Sequence, residues 1–118
     1  MENSDNSILK IYASTTDRVG PKLLYELIVE LARDKAISGV TVYRGIMGYG
    51  LSSNISTARF WELTEKLPVM IEIIDRTDRL NDFFTLIEPE LMKMKKGCLV
   101  VLEPVIIKLH KSGKSEIK

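Results

Sequence analysis

Residues 67–75 read Leu-Pro-Val-Met-Ile-Glu-Ile-Ile-Asp, and the order of elements can be built outward from them. Val69, Ile71 and Ile73 face one way and Met70, Glu72 and Ile74 the other, the two-residue period of a strand with one wholly apolar face. Thr77 or Asp78 is expected to cap a helix immediately after this strand. Leu80, Phe83, Phe84, Ile87, Leu91 and Met94 then recur at steps of three and four, a helical stripe. Pro89 falls inside it, so a bend or local break is expected there, and Gly97 should end the helix. Cys98 to Glu103 reads as a strand, with Val105 to Leu109 extending the sheet after Pro104.

The same order is visible upstream. Leu9, Ile11 and Ala13 alternate with Ile8, Lys10 and Tyr12, giving a strand over Ile8 to Ser14. Gly20 and Pro21 interrupt the chain, and Pro21 suits a first helical turn because its missing N–H has no partner to lose there. Leu24, Leu27, Ile28 and Leu31 supply the stripe of that helix, with Glu26, Glu30 and Arg33 between them and an end near Ser38 and Gly39. From Val40 the chain reads VTVYRGIMGYG, a strand running into glycines. Leu51 to Thr57 is polar, and Ala58 to Leu67 suits a short helical turn before Pro68. The whole is a long excursion, and loops of that length are usually functional or disordered.

The resulting βαββαβ order predicts an α+β fold: a ferredoxin-like sandwich of one antiparallel sheet with two helices on one face. Residues 8–110 are expected to form this domain, with residues 1–7 and 111–118 as flexible ends. Its uncovered face would show Ile8, Tyr12, Met70 and Ile74, too much apolar area to leave in water at about 25 cal/mol per Å². A partner subunit is therefore expected, most simply in a cyclic homo-oligomer. Lys10 and Glu72 share that face on strands the topology makes neighbours, so they can pair across the sheet or stand as two solvated charges.

Composition narrows the function. The 118 residues are 45% hydrophobic and 28% charged, the balance of a globular domain. A formal net charge of +1 supplies no field that would draw the chain to nucleic acid, so no nucleic-acid partner is expected. The opening MENSDNS lacks the basic start and apolar run of a signal peptide, and a cytoplasmic location is expected. One cysteine, Cys98, and one histidine, His110, leave little for zinc or for a Ser-His-Asp arrangement. No nucleophile is visibly matched to a base, so binding rather than catalysis is expected.

The binding candidates each carry two readings. Gly45, Gly48 and Gly50 can let an anion approach their N–H groups, or can form a simple strand exit. Arg44 and Arg59 can offer forked donors to phosphate or carboxylate, or can pair with Glu62 or Glu65. Tyr49, Phe60 and Trp61 can stack on a base, while Trp61 can equally pack the loop or a subunit contact. Lys95 and Lys96 suit the carbonyl end of a helix whether or not a ligand is present. Glu26 and Glu30 stand one helical turn apart, a metal spacing or a solvated face. Cys98 reads as a small core residue and His110 as exposed.

The strings Val42-Tyr43-Arg44-Gly45-Ile46-Met47-Gly48-Tyr49-Gly50 and Leu67-Pro68-Val69-Met70-Ile71-Glu72-Ile73-Ile74-Asp75 resemble a PII-like family known as domain-of-unknown-function family 190. The likeness spans roughly Ile8 to Leu109. More distantly the chain is similar to the nitrogen regulatory PII proteins and to CutA, which are trimers of ferredoxin-like subunits. PII proteins bind adenine nucleotides between subunits, below a mobile loop joining their second and third strands. The resemblance implies a homotrimer that senses a small anion bound at its subunit interfaces, with an adenine nucleotide as its candidate ligand. It places Gly45, Gly48 and Gly50 at the base of that loop, and Gly97 after Lys95 and Lys96 near phosphates. It further implies a regulated partner, a membrane transporter or channel. The alternative it carries is a CutA-like metal-binding or metal-tolerance protein.

Overall fold

The structure, a computed structural model, describes residues 5–50, the backbone of 56–57, and residues 67–113. In chain order the elements are β1 (Asn6–Ser14), β2 (Arg18–Val19), β3 (Lys22–Leu23), α1 (Leu24–Asp34), β4 (Gly39–Arg44), β5 (Met47–Gly48) and β6 (Ser56–Thr57). After these come β7 (Pro68–Arg76), α2 (Thr77–Lys93) and β8 (Leu99–Val105). Four of the strands form one antiparallel sheet in the order β4-β7-β1-β8. This is the ferredoxin-like arrangement the sequence predicts, with the two most regularly alternating strands at its centre.

The period-2 pattern decides which face meets the helices. Leu9 and Ile11 of β1, with Val69, Ile71 and Ile73 of β7, are buried. Leu9, Ile11, Ile71 and Ile73 pack with Leu24, Ile28 and Ala32 of α1 and Leu80, Phe83, Ile87 and Leu91 of α2. Each large side chain removed from water in this layer contributes about 1.5–3 kcal/mol. The opposite face carries Ile8, Lys10, Tyr12, Met70, Glu72 and Ile74, flanked by Thr41 and Tyr43 of β4 and by Leu99, Val101 and Glu103 of β8. No helix among the described residues covers it.

Several boundaries differ from expectation, each for a local reason. Gly20 and Pro21 do not begin the helix. They form the two-residue turn joining β2 to β3, with Gly20 at φ +61°, where glycine alone is unstrained, and Arg18 Nη1 donates to Pro21 O at 2.8 Å. Helix α1 ends at Asp34 rather than near Ser38. Ala36 N–H donates to Arg33 O and Ile37 N–H to Ala32 O, both at 3.0 Å, with Ala36 itself at φ +57°. That is a Schellman stop with alanine where glycine is usual.

At the start of α2 the expected caps are absent. The position before the helix is Arg76, and it makes no side-chain capping bond. Asp78 instead lies in the first turn and pairs with Arg76 at 3.1 Å, which lowers the Asp78 carboxyl below its ordinary value. Thr77 Oγ1 is 2.6 Å from Ser7 Oγ. Pro89 lies inside α2 without interrupting it, because Phe83, Ile87 and Leu91 remain buried on both sides of it while Pro89 is exposed. Strand β8 runs through Pro104 and ends at Val105, an edge strand being where proline is tolerated. Ile106 to Leu109 therefore do not extend this sheet.

The expected Lys10–Glu72 pair gives way to two others. Lys10 Nζ meets Glu103 at 2.6 Å, and the hydroxyl of Tyr43 donates to Glu72 Oε1 at 3.2 Å. Lys10 and Glu72 are register partners, but Glu103 on the far neighbour is the better-placed acceptor. The hydrogen bond to Glu103 raises the Lys10 pKa, and the one to Glu72 raises that of Tyr43.

Candidate functional site

The register gathers the candidate residues at one end of the sheet. Ser14 pairs with Pro68, Arg44 with Val69, and Tyr12 with Leu99, so β1 and β4 end where β7 and β8 begin. The corner is tied at Pro68. Gly45 N–H donates to Pro68 O at 2.7 Å, Thr15 N–H donates to Leu67 O at 2.9 Å, and Leu67 N–H donates to Thr15 Oγ1 at 3.0 Å. The glycines let Pro68 approach closely. A Cβ on Gly45 would stand 3.2 Å from Pro68 Cβ, and one on Gly48 3.1 Å from Pro68 Cγ, both tighter than side chains normally tolerate.

This narrows the anion reading. The Gly45 N–H is already spent on Pro68 O, so it is not a donor for a ligand. Gly48 lies in β5, paired with Ser56 of β6, and Gly50 has open space where a Cβ would be. Arg44 is exposed at the end of β4 and has no ion-pair partner among the described residues, and Tyr49, five residues further on, is exposed too. Arg59, Phe60, Trp61, Glu62 and Glu65 lie outside the described residues, as does the helical turn expected over Ala58 to Leu67 except for Leu67 itself, which is buried and not helical.

Lys95, Lys96 and Gly97 are exposed at the same end but at the other edge, in the connection after α2 has ended at Lys93. Three inter-strand steps separate the two edges, about 14 Å at the usual strand spacing. One protomer thus presents two cationic corners rather than one pocket. Between them sits a feature the sequence pattern does not announce. Asp17 is buried, and its Oδ2 accepts from Ser14 N–H at 2.9 Å, closing the turn that ends β1. Burial first, and the Asp17 charge second, push the Cys98 thiol above its ordinary pKa. The Ser-Thr-Thr-Asp run is the one signal that could have found it, since such residues close turns through their own backbone.

The carboxylate and thiol candidates find structural uses. Glu30 pairs with Lys22, whose pKa that contact raises, so Glu30 does not stand free beside Glu26. Cys98 is half-buried against the core, and His110 is exposed. Among the described residues no three of His, Cys, Asp and Glu gather as a metal site requires, and no helix is long and apolar enough to cross a membrane. What the end of the sheet offers is a guanidinium, two ammonium groups and accessible backbone near an aromatic ring, which is equipment for holding an anion.

An antiparallel β4-β7-β1-β8 sheet with both helices on one face and polar loops at one end defines a ferredoxin-like α+β domain. Within that class the chain belongs to the DUF190 family, described as "Uncharacterized ACR, COG1993", whose sequence profile matches residues 6–107. It is similar to a UPF0166 protein of Aquifex aeolicus, 33% identical over 98 residues covering 83% of this chain and 89% of that protein. It is also similar to the UPF0166 protein MJ1524 of Methanocaldococcus jannaschii, 38% identical over 74 residues, 63% of this chain and 68% of the relative. Among solved structures, that of a DUF3240 family protein from Shewanella baltica superposes with a TM-score of 0.63. It covers 93% of this chain and 100% of that one at 14% identity, a likeness of fold.

Proposed function

We propose that this protein is a PII-like ligand sensor: a cytoplasmic homotrimer that binds a small anion, an adenine nucleotide being the first candidate, and regulates a partner protein through the excursion after β4. The observation that supports it best is Arg44, an exposed guanidinium with no partner among the described residues, beside the tight Gly45–Pro68–Gly48 corner from which that excursion leaves. A fixed corner below a long connection is what a loop needs if ligand occupancy is to change its position. The ammonium groups of Lys95 and Lys96 lie at the same end of the sheet but at its other edge, where an anion held between subunits would meet them from a second copy. The helix-free face calls for further copies of the chain. In this reading the protein is not an enzyme, and its regulated partner is a membrane transporter or channel, as the PII resemblance implies.

Calorimetry with ATP, ADP, AMP and cyclic AMP on wild type, Arg44→Ala and Arg44→Lys tests the site. A charge-assisted guanidinium contact is worth about 1.5–3 kcal/mol, so Arg44→Ala should weaken binding roughly ten- to a hundredfold. Lysine cannot reproduce a forked contact, so Arg44→Lys should restore little. Equal affinity in all three proteins, or no binding by wild type, would remove the assignment.

A further inference from the structure

The end of the sheet opposite Arg44 carries a groove that the anion reading does not use. It lies on the helix side, between the exit of α1 and the first turns of α2, with a volume of about 460 Å³. That is within the range of small-molecule sites, about 300–1,000 Å³. Gly39 begins β4 at this end and Arg44 closes it at the other, about 17 Å away at the usual strand rise. Ile37, Phe83 and Leu86 give the groove its apolar lining, and Leu86 is 40% exposed there.

The charges around this lining are of both signs. Lys35 stands at the end of α1, and Arg79 and Asp82 stand three residues apart on α2. Lys35 and Asp82 are exposed, and neither has an ion-pair partner among the described residues. Arg79 does not pair with Asp82, because its guanidinium is turned to Asp75 and to the carbonyls of Lys35 and Ala36. Those contacts fix the orientation of the fork while leaving some of its five N–H groups unspent, so it can meet a carboxylate with little further loss of side-chain freedom. A lone anion here would face the unpaired Asp82, and a lone cation would face Lys35 and Arg79. A ligand carrying both charges meets both. Positions three apart on a helix have Cβ atoms about 5–6 Å apart, a span that the two charged groups of one amino acid can bridge. The hydroxyl of Thr85, also on the groove, donates back to Asn81 O at 3.1 Å, which leaves the lining little to offer a polar side chain. We propose that this groove binds an apolar α-amino acid, with its carboxylate toward Lys35 and Arg79, its ammonium toward Asp82 and its side chain over Ile37, Phe83 and Leu86.

The site is separate from the anion corner, so its occupancy does not depend on a nucleotide. Titration of the wild-type protein with millimolar L-leucine and L-phenylalanine, followed by amide NMR shifts and without nucleotide, tests it. Shifts should concentrate at residues 35–37 and 79–86 and saturate. Isocaproate, which is leucine without its ammonium, isoamylamine, which is leucine without its carboxylate, and glycine, which lacks the apolar side chain, should each bind roughly tenfold more weakly or worse. Lys35→Gln and Asp82→Asn each remove one exposed charge and should weaken leucine binding by a similar factor in a protein whose circular dichroism is unchanged. The analogue series needs no variant, so it decides the matter even if a substitution disturbs the fold. Absence of saturable shifts with both amino acids would overturn the proposal. So would isocaproate or isoamylamine binding as well as leucine, or shifts that saturate only at residues elsewhere.

Discussion

Cys98 is half-buried against the core within reach of the charge of Asp17, the residue that closes the turn after β1, and its thiol is held above the usual range by burial and by that carboxylate. Because the thiolate is the reacting species, its reaction with a disulfide reagent at pH 8 should be slower than that of a small free thiol and should accelerate on unfolding. A rate equal to the unfolded chain's would mean that the fold does not shield it. Ala36 offers a second test. An L-residue at positive φ carries a strain of roughly 1–2 kcal/mol that glycine escapes, though glycine loses more chain entropy on folding. Ala36 is exposed and gives up no packing. Ala36→Gly should therefore stabilise the protein by about 0.5–1 kcal/mol in urea denaturation. At this scale the sequence was least informative. The hydrogen bond that occupies Gly45 N–H and the close approach of Pro68 to Gly45 and Gly48 depend on two segments that meet only in the sheet.

Helices and strands were far more legible, because burial of one face imposes a period that a chain shows without its partners. Leu9 and Ile11, Val69 through Ile73, and Leu80 through Leu91 all bury the side their spacing assigns. The ends of elements were harder, since caps and turns are decided by polar groups far apart in sequence. Asp75 is the clearest case. It is the last core-facing residue of β7, and its carboxylate accepts from Ser38 N–H at 2.9 Å and Arg76 N–H at 2.6 Å. It also faces Arg79 at 3.3 Å, while Arg79 in turn donates to the carbonyls of Lys35 and Ala36. One carboxylate thus joins the exit of α1, the start of β4 and the first turn of α2. Asp75→Ala leaves buried donors without acceptors and should cost about 2–3 kcal/mol, read as a lowered urea midpoint at unchanged slope. Asp75→Asn keeps an acceptor and should recover part of the loss.

For the whole molecule, the pattern that made the fold readable also left one face and two edges without partners among the described residues. Tyr12, Tyr43 and Leu99 remain exposed where a helix would have covered them, and the two cationic corners stand at opposite edges of the same end. The candidate site was legible in the sequence as residue types, an arginine and a lysine pair near glycines. It was not legible as a place, since sequence order does not show that the four-strand sheet separates the two corners. Amide hydrogen exchange on the wild-type protein with and without saturating ATP bears on the central claim most directly. Bound anion should slow exchange at residues 44, 48–50 and 95–97, leaving the interior strand residues 70–74 unchanged as an internal reference. Identical exchange with and without nucleotide at both corners, under conditions where the folded protein is confirmed, would contradict the account.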